Sequence, residues 1–185
     1  MAAETTLGPS GDGGDGTLMI TQDSQPVTIL LVDDDPDCRL LIRDAIAECK
    51  VNNSVYEVAD GRAAVEFLRQ CGRSGDAGGG GGRGGGSRPR PALIYLDIEM
   101  PGQDGQDTLR QIKADPDLRD IPVVMMTGVS DEEQMRLAAE NGANSYTIKP
   151  ANAEQFLRTV LASTNYWLTI HQYPRHHVPQ NQCRR

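Results

Sequence analysis

Leu93-Ile94-Tyr95-Leu96-Asp97-Ile98-Glu99-Met100-Pro101-Gly102-Gln103-Asp104-Gly105 is the stretch whose reading decides the fold. Strand-forming apolar residues run into a carboxylate, and a proline and two glycines follow that cannot continue a strand. The pattern places Asp97 at the tip of a buried strand. Upstream, Val27-Thr28-Ile29-Leu30-Leu31-Val32 is apolar on both faces, as a central parallel strand covered by helices on both sides must be. It ends in Asp33-Asp34-Asp35. Pro36 then fits the first turn of a helix capped by Asp35, with Cys38, Leu41, Ile42, Ala45, Ile46 and Cys49 recurring at helical spacing.

The strand-turn-helix unit repeats. Ser54 to Val58 predicts a short strand, and Asp60-Gly61 opens a helix with Ala64, Val65, Phe67 and Leu68 as its apolar positions. Beyond Asp97, a helix is predicted from about Gln106 to Ala114, stopped by Asp115-Pro116. Ile121 to Met126 reads as a fully apolar strand ending in Thr127-Gly128. Asp131-Glu132-Glu133 supplies the acidic first turn of the next helix, and Asn141-Gly142 closes it. A fifth strand, Ser145 to Ile148, runs into Lys149-Pro150, and a last helix near Asn152 to Ser163 carries Phe156, Leu157, Val160 and Leu161 on one face. Five strands alternating with five helices predict an α/β fold, a doubly wound five-stranded parallel sheet with helices on both faces.

Composition narrows the function. A chain of 185 residues allows one domain with tails. A net charge of −8 argues against nucleic acid or an anionic membrane as partner, since both reward Lys and Arg. There is no signal-peptide pattern and no apolar run near the roughly 20 residues of a membrane span, so a cytoplasmic protein is expected. Cys38, Cys49, Cys71 and Cys183 show no CxxC pairing. Cys38 and Cys49 would lie about 16 Å apart along one helix, too far for a disulfide. Residues 1–25 have too few large apolar side chains to offset ordering entropy and read as a disordered leader. Residues 26–163 form the expected domain, interrupted at 72–90 by a flexible glycine-rich insertion, and 164–185 form an aromatic C-terminal tail. Arginines within the insertion admit a nucleic-acid tether, which the overall acidity disfavours. His171, His176 and His177, separated by prolines and arginine, read as a solvated tail rather than a metal site.

In open parallel sheets ligands sit beyond the carboxyl ends of the strands. Those ends carry Asp33 and Asp34, Asp97, Thr127 and Lys149. Three crowded carboxylates repel one another unless cations join them, and a hard divalent cation such as Mg2+ takes oxygen ligands of this kind together with phosphoryl oxygens. A phosphoryl group on Asp97 would be balanced by the metal on one side and Lys149 on the other, with a hydrogen bond from Thr127. Asp97 is then the nucleophile.

Leu31-Val32-Asp33-Asp34, Leu96-Asp97-Ile98-Glu99-Met100-Pro101 with Asp104-Gly105, Met126-Thr127-Gly128 and Ile148-Lys149-Pro150 together resemble the receiver domain of a two-component response regulator, over about Val27 to Leu161. The resemblance implies a non-enzymatic phosphoprotein that takes a phosphoryl group on Asp97 from a sensor histidine kinase. It implies Mg2+ held by Asp34, Asp97 and the main-chain carbonyl of Glu99, with Asp33 assisting through water. Thr127 and Tyr146 become the switch pair, Lys149 the phosphoryl-binding cation, and the surface around the fourth helix, fifth strand and fifth helix the output face. Glu99 and Val129, two residues past Asp97 and Thr127, are expected to tune phosphate lifetime. The insertion is longer than is usual for a receiver but lies at the end of the third strand opposite Asp97. No DNA-binding domain follows, so a stand-alone receiver is expected. Thr164 to Pro174 carries the only Trp and two Tyr. It is similar to the tail of small receivers serving bacterial phytochrome-type kinases, which implies such a kinase as partner and a homodimer through the C-terminal region.

Two other readings compete. The Asp33-x-Asp35 spacing resembles the nucleophile motif of haloacid-dehalogenase-type phosphatases, but Pro36 stands where Thr or Val is needed. A binding module that kept the fold and signals without phosphorylation is the other. A dinucleotide enzyme lacks its GxGxxG turn.

Overall fold

The computed structural model describes residues 27–49, 52–71 and 88–170. The expected leader, the interior of the insertion, the histidine-bearing tail and Cys183 lie outside these residues. The elements alternate as expected: β1 (Val27–Val32), α1 (Pro36–Ala47), β2 (Asn53–Val58), α2 (Gly61–Gln70), β3 (Leu93–Asp97), α3 (Gly105–Ala114), β4 (Val123–Thr127), α4 (Glu132–Glu140), β5 (Ser145–Ile148) and α5 (Ala153–Asn165). A π-helical turn, Tyr166–Ile170, continues α5. Each helix begins on an Asp or Asn whose side chain accepts a hydrogen bond from a first-turn amide: Asp35, Asp60, Asp104, Asp131 and Asn152.

All strand pairs are parallel, in the order β2-β1-β3-β4-β5. The order reverses between β1 and β3, so their C-terminal ends flank the crevice where ligands bind in such sheets. Alternation along the strands feeds two cores. Leu30, Val32, Ile94, Leu96, Val123 and Met125 meet α2, α3 and α4 through Ala64, Phe67, Leu68, Leu109, Ile112 and Ala138. Ile29, Leu31, Leu93, Tyr95, Val124 and Met126 meet α1 and α5 through Ile42, Ala45, Ile46, Phe156 and Val160. The continuous apolar runs in the sequence thus serve both faces of the sheet.

The boundaries near Ile121 and Ser163 depart from the sequence pattern in ways that matter for packing. β4 starts at Val123 rather than Ile121, because Pro122 has no amide to donate and contributes only its carbonyl, to the amide of Ile94 at 3.0 Å. The last helix does not fade at Ser163. Thr164 is fully buried, with its hydroxyl 2.9 Å from that of Tyr95 on β3, and Trp167 enters the α1–α5 core at 6 % exposure. These two residues, expected in the tail, belong to the domain's core. Burying an indole and satisfying the Tyr95 hydroxyl favour the added turn.

The insertion is closed at its base. Cys71, after α2, and Arg88 pair in an isolated parallel bridge, and the Arg88 guanidinium lies 4.9 Å over the Phe67 ring. The chain therefore leaves and rejoins the domain at one point, leading into the N-terminal end of β3, away from Asp97.

Candidate functional site

Register alone assembles the strand tips. Val32 pairs with Leu96, so Asp33 and Asp97 emerge level with each other. Asp97 pairs with Met126, which puts Thr127 one residue further along, and Thr127 pairs with Ile148, which puts Lys149 one further still. A long flexible side chain is needed to reach back across that stagger. Lys149 Nζ does so, donating to Asp33 Oδ2 at 2.7 Å and lying 3.0 Å from Asp97 Oδ1. The contact to Asp97 is charge on charge rather than a directed hydrogen bond, and Asp97 Oδ1 is a buried acceptor with no hydrogen bond.

Carboxylate oxygens of Asp33, Asp34 and Asp97 lie within 4.8 Å of one another. Asp33 is fully buried, Asp97 is 4 % exposed and Asp34 faces solvent. Both Asp33 oxygens are engaged, Oδ2 by Lys149 and Oδ1 by the amide of Asp35 at 2.9 Å. Thr127 is buried, and its hydroxyl accepts from the amide of Val129 at 3.2 Å. Tyr146 presents a buried hydroxyl on the side of Thr127. Glu99 is exposed and directed toward Gly128, its Oε2 3.7 Å from where a Cβ at that glycine would stand.

The loop from Asp97 to α3 is held tightly. The amide of Gly105 donates to the carbonyl of Ile98 at 3.0 Å, and a Cβ at Gly105 would fall 2.1 Å from the carbonyl oxygen of Asp97. Only glycine permits that approach. Sequence reading marked Gly105 as a strand breaker and missed this contact, since nothing local announces which backbone returns against which.

Burial dominates the electrostatics. It pushes the Asp97 carboxyl up to about 6, against the lowering effect of the Lys149 charge. Burial pulls Lys149 down, but its bond to Asp33 and the charges of Asp97 and Asp33 override this and hold it above the usual lysine range. Burial also pushes the nearby Cys38 thiol up to about 12, which keeps it protonated and poorly nucleophilic at neutral pH. Burial raises the Tyr146 phenol, and the Thr127 hydroxyl beside it acts in the opposite direction.

The chemistry of this donor set fits a hard divalent cation: clustered carboxylates, oxygen only, one of them holding a buried acceptor without a hydrogen bond. The phosphatase reading fares badly. Asp35, its required second carboxylate, caps α1 by accepting from the amide of Asp37 at 2.9 Å.

A doubly wound sheet with an acidic cluster and a lysine at its switch point defines the receiver class of α/β domain. Residues 86–161 match the response regulator receiver domain model. The chain is 34% identical over 163 residues to the probable methanogenesis regulatory protein FilR2 of Methanothrix harundinacea, spanning 88% of this chain and 95% of that protein. It is 31% identical over 150 residues to the response regulator Rcp1 of Synechocystis, spanning 81% of this chain and 95% of Rcp1. The structure of Mn2+-bound Rcp1 superposes with a TM-score of 0.69, covering 80% of this chain and 99% of that one. The phosphorylated cyanobacterial phytochrome response regulator RcpA, 33% identical, also superposes at 0.69, covering 81% and 99%. The chain belongs to the response regulator receiver family, and the fold and phosphorylation-based signalling expected from its motifs agree with these relatives.

Proposed function

We propose that this receiver accepts a phosphoryl group on Asp97 from a sensor histidine kinase and thereby switches a protein-interaction surface. The observation that carries the reading is the convergence of Asp33, Asp34 and Asp97 on one side and Lys149 on the other around a buried, under-bonded carboxylate oxygen. A carboxylate oxygen of Asp97 forms the bond to phosphorus as the phosphorus–nitrogen bond of the phosphohistidine breaks. Lys149, already ion-paired with Asp97, balances the charge of the new group, and Thr127 donates to a phosphoryl oxygen.

Asp34, Asp97 and the main-chain carbonyl of Glu99 would hold Mg2+, with Asp33 acting through water. Engagement of both Asp33 oxygens and the exposure of Asp34 support that division. When bound, the cation supplies charge neutralisation for the carboxylates and the incoming phosphoryl oxygens. Movement of the Thr127 hydroxyl toward the phosphoryl group would vacate space beside the buried Tyr146 hydroxyl and let the ring turn inward, biasing the surface of α4, β5 and α5.

Residues 26–163, extended by the turn to Ile170, form the unit that performs this chemistry without turnover of a free substrate. The likeness to RcpA, a phytochrome response regulator, and to the bacteriophytochrome response regulator AtBRR supports a phytochrome-type kinase as phosphodonor. A homodimer through the C-terminal region is supported by Tyr166, 48 % exposed at the end of α5. No helix of the described residues is long and apolar enough to cross a membrane. That observation and the acidic charge support a cytoplasmic setting without nucleic acid or membrane as partner.

Incubation with Mg2+ and acetyl phosphate tests the reading. One base-labile phosphoryl adduct per chain is expected in the wild type, and none in Asp97→Asn or with EDTA. A folded wild type that gives no adduct defeats it.

A further inference from the structure

Arg39 is absorbed by none of the roles above. It lies on α1, one turn past the Asp35 cap, with its side chain 18 % exposed. Instead of extending into solvent, it folds back over the acidic turn. Nη1 donates to the main-chain carbonyl of Asp33 at 2.6 Å, and Nε meets Glu57 Oε2 on β2 at 3.3 Å. Glu57 also receives Arg43 Nη1 at 3.4 Å, so the carboxylate that anchors Arg39 is itself braced from the next turn of α1. The planar guanidinium is thus held from two directions, and the carbonyl it grips belongs to the peptide joining Asp33 to Asp34.

Fixing that peptide fixes two carboxylates. The Asp33 side chain is tied by Lys149 and the amide of Asp35, but Asp34 is exposed, and its direction depends on the backbone that carries it. A turn of three consecutive carboxylates would otherwise relax apart through mutual repulsion.

We propose that Arg39 is a positioning residue for the cation site: by clamping the Asp33–Asp34 peptide against β2, it holds Asp34 where it converges with Asp97. The inference rests on the reading of Asp34 and Asp97 as metal ligands. It separates cleanly from simple electrostatics, because the two predict opposite signs. A positive charge close to a cation site opposes binding, so its removal should tighten Mg2+ if charge were all that mattered. If Arg39 positions Asp34, its removal weakens Mg2+ despite the charge relief. Partners that orient metal ligands cost about 10-fold or more in affinity when removed.

The test is Mg2+ affinity by titration calorimetry on the unphosphorylated full chain, for wild type, Arg39→Gln and Arg39→Lys, at low salt and in excess KCl. Urea denaturation in EDTA reports folding separately. Arg39→Gln is expected to bind Mg2+ about 10-fold more weakly, and the deficit should persist in high salt, where charge effects are screened. Arg39→Lys, which keeps the charge without the fork, should also bind more weakly than wild type. It carries the test if the Gln variant does not fold. Unchanged or tighter binding in a folded variant overturns the proposal. Absence of Mg2+ binding by the wild type would instead defeat the metal-ligand reading on which it rests, and the proposal with it.

Discussion

At the scale of single residues, Asp97 has been placed at odds with stability. Its carboxyl is pushed up to about 6 from an ordinary value of 3.8, with burial as the largest cause. Between those pH values the folded chain holds this proton more tightly than the unfolded chain does. Stability contributed by this group is therefore present at low pH, lost as pH rises through the window, and absent above it. Asp97→Asn is expected to raise the unfolding free energy of the metal-free protein at pH 7.5 by about 1–3 kcal/mol, since each tenfold difference in proton affinity between the folded and unfolded chain is worth about 1.4 kcal/mol. Near pH 4 the gain should be much smaller. Urea denaturation in EDTA at both pH values checks this, and equal stability of the two proteins at pH 7.5 would contradict it. Saturating Mg2+ should narrow the difference by stabilising the wild type.

Among the elements, the junction of α2 and β3 separates embellishment from framework. Cys71 and Arg88 are bridge partners, so the segment between them returns to where it started. Loop-closure entropy changes slowly with length, by about 0.6 kcal/mol per doubling. Replacing residues 73–86 with a four-residue Gly-Ser link should leave Mg2+ affinity and the rate of phosphorylation by acetyl phosphate within twofold of wild type. A shift in the thermal midpoint of only a few degrees should accompany it. Loss of labelling in the shortened protein would show that the insertion reaches the chemistry. At the opposite end of the chain, α5 shows what periodicity misses. The apolar face was legible as far as Leu161, but the turn holding Thr164 and Trp167 depends on Tyr95, 69 residues away in sequence from Thr164. No local pattern encodes that partner.

For the molecule as a whole, a net charge of −8 means that two copies must associate against repulsion. If the exposed Tyr166 forms part of a homodimer contact, raising salt from low to moderate ionic strength should increase the dimer fraction. Tyr166→Ala should shift the population toward monomer, as read by sedimentation at micromolar concentration. A dimer fraction indifferent to Tyr166→Ala would remove the C-terminal region from the contact.

The alternating apolar runs, their abrupt acidic or hydroxyl ends and the Asp and Asn caps were enough to determine the fold class and to propose Asp33, Asp34, Asp97, Thr127 and Lys149 as one set. Each is marked by strand periodicity that ends where its side chain begins to matter. Tertiary structure alone decided that Lys149 binds Asp33 more closely than Asp97, that Gly105 must lack a side chain because it touches the Asp97 backbone, and that Arg39 reaches back to the acidic turn. The Lys149 contacts follow from the 2-1-3-4-5 strand order and its stagger, whereas Gly105 and Arg39 are set by how the loops after β3 and β1 fold back on their own strands. Sequence periodicity fixes the direction in which a side chain leaves its own element; only packing fixes which other element it meets.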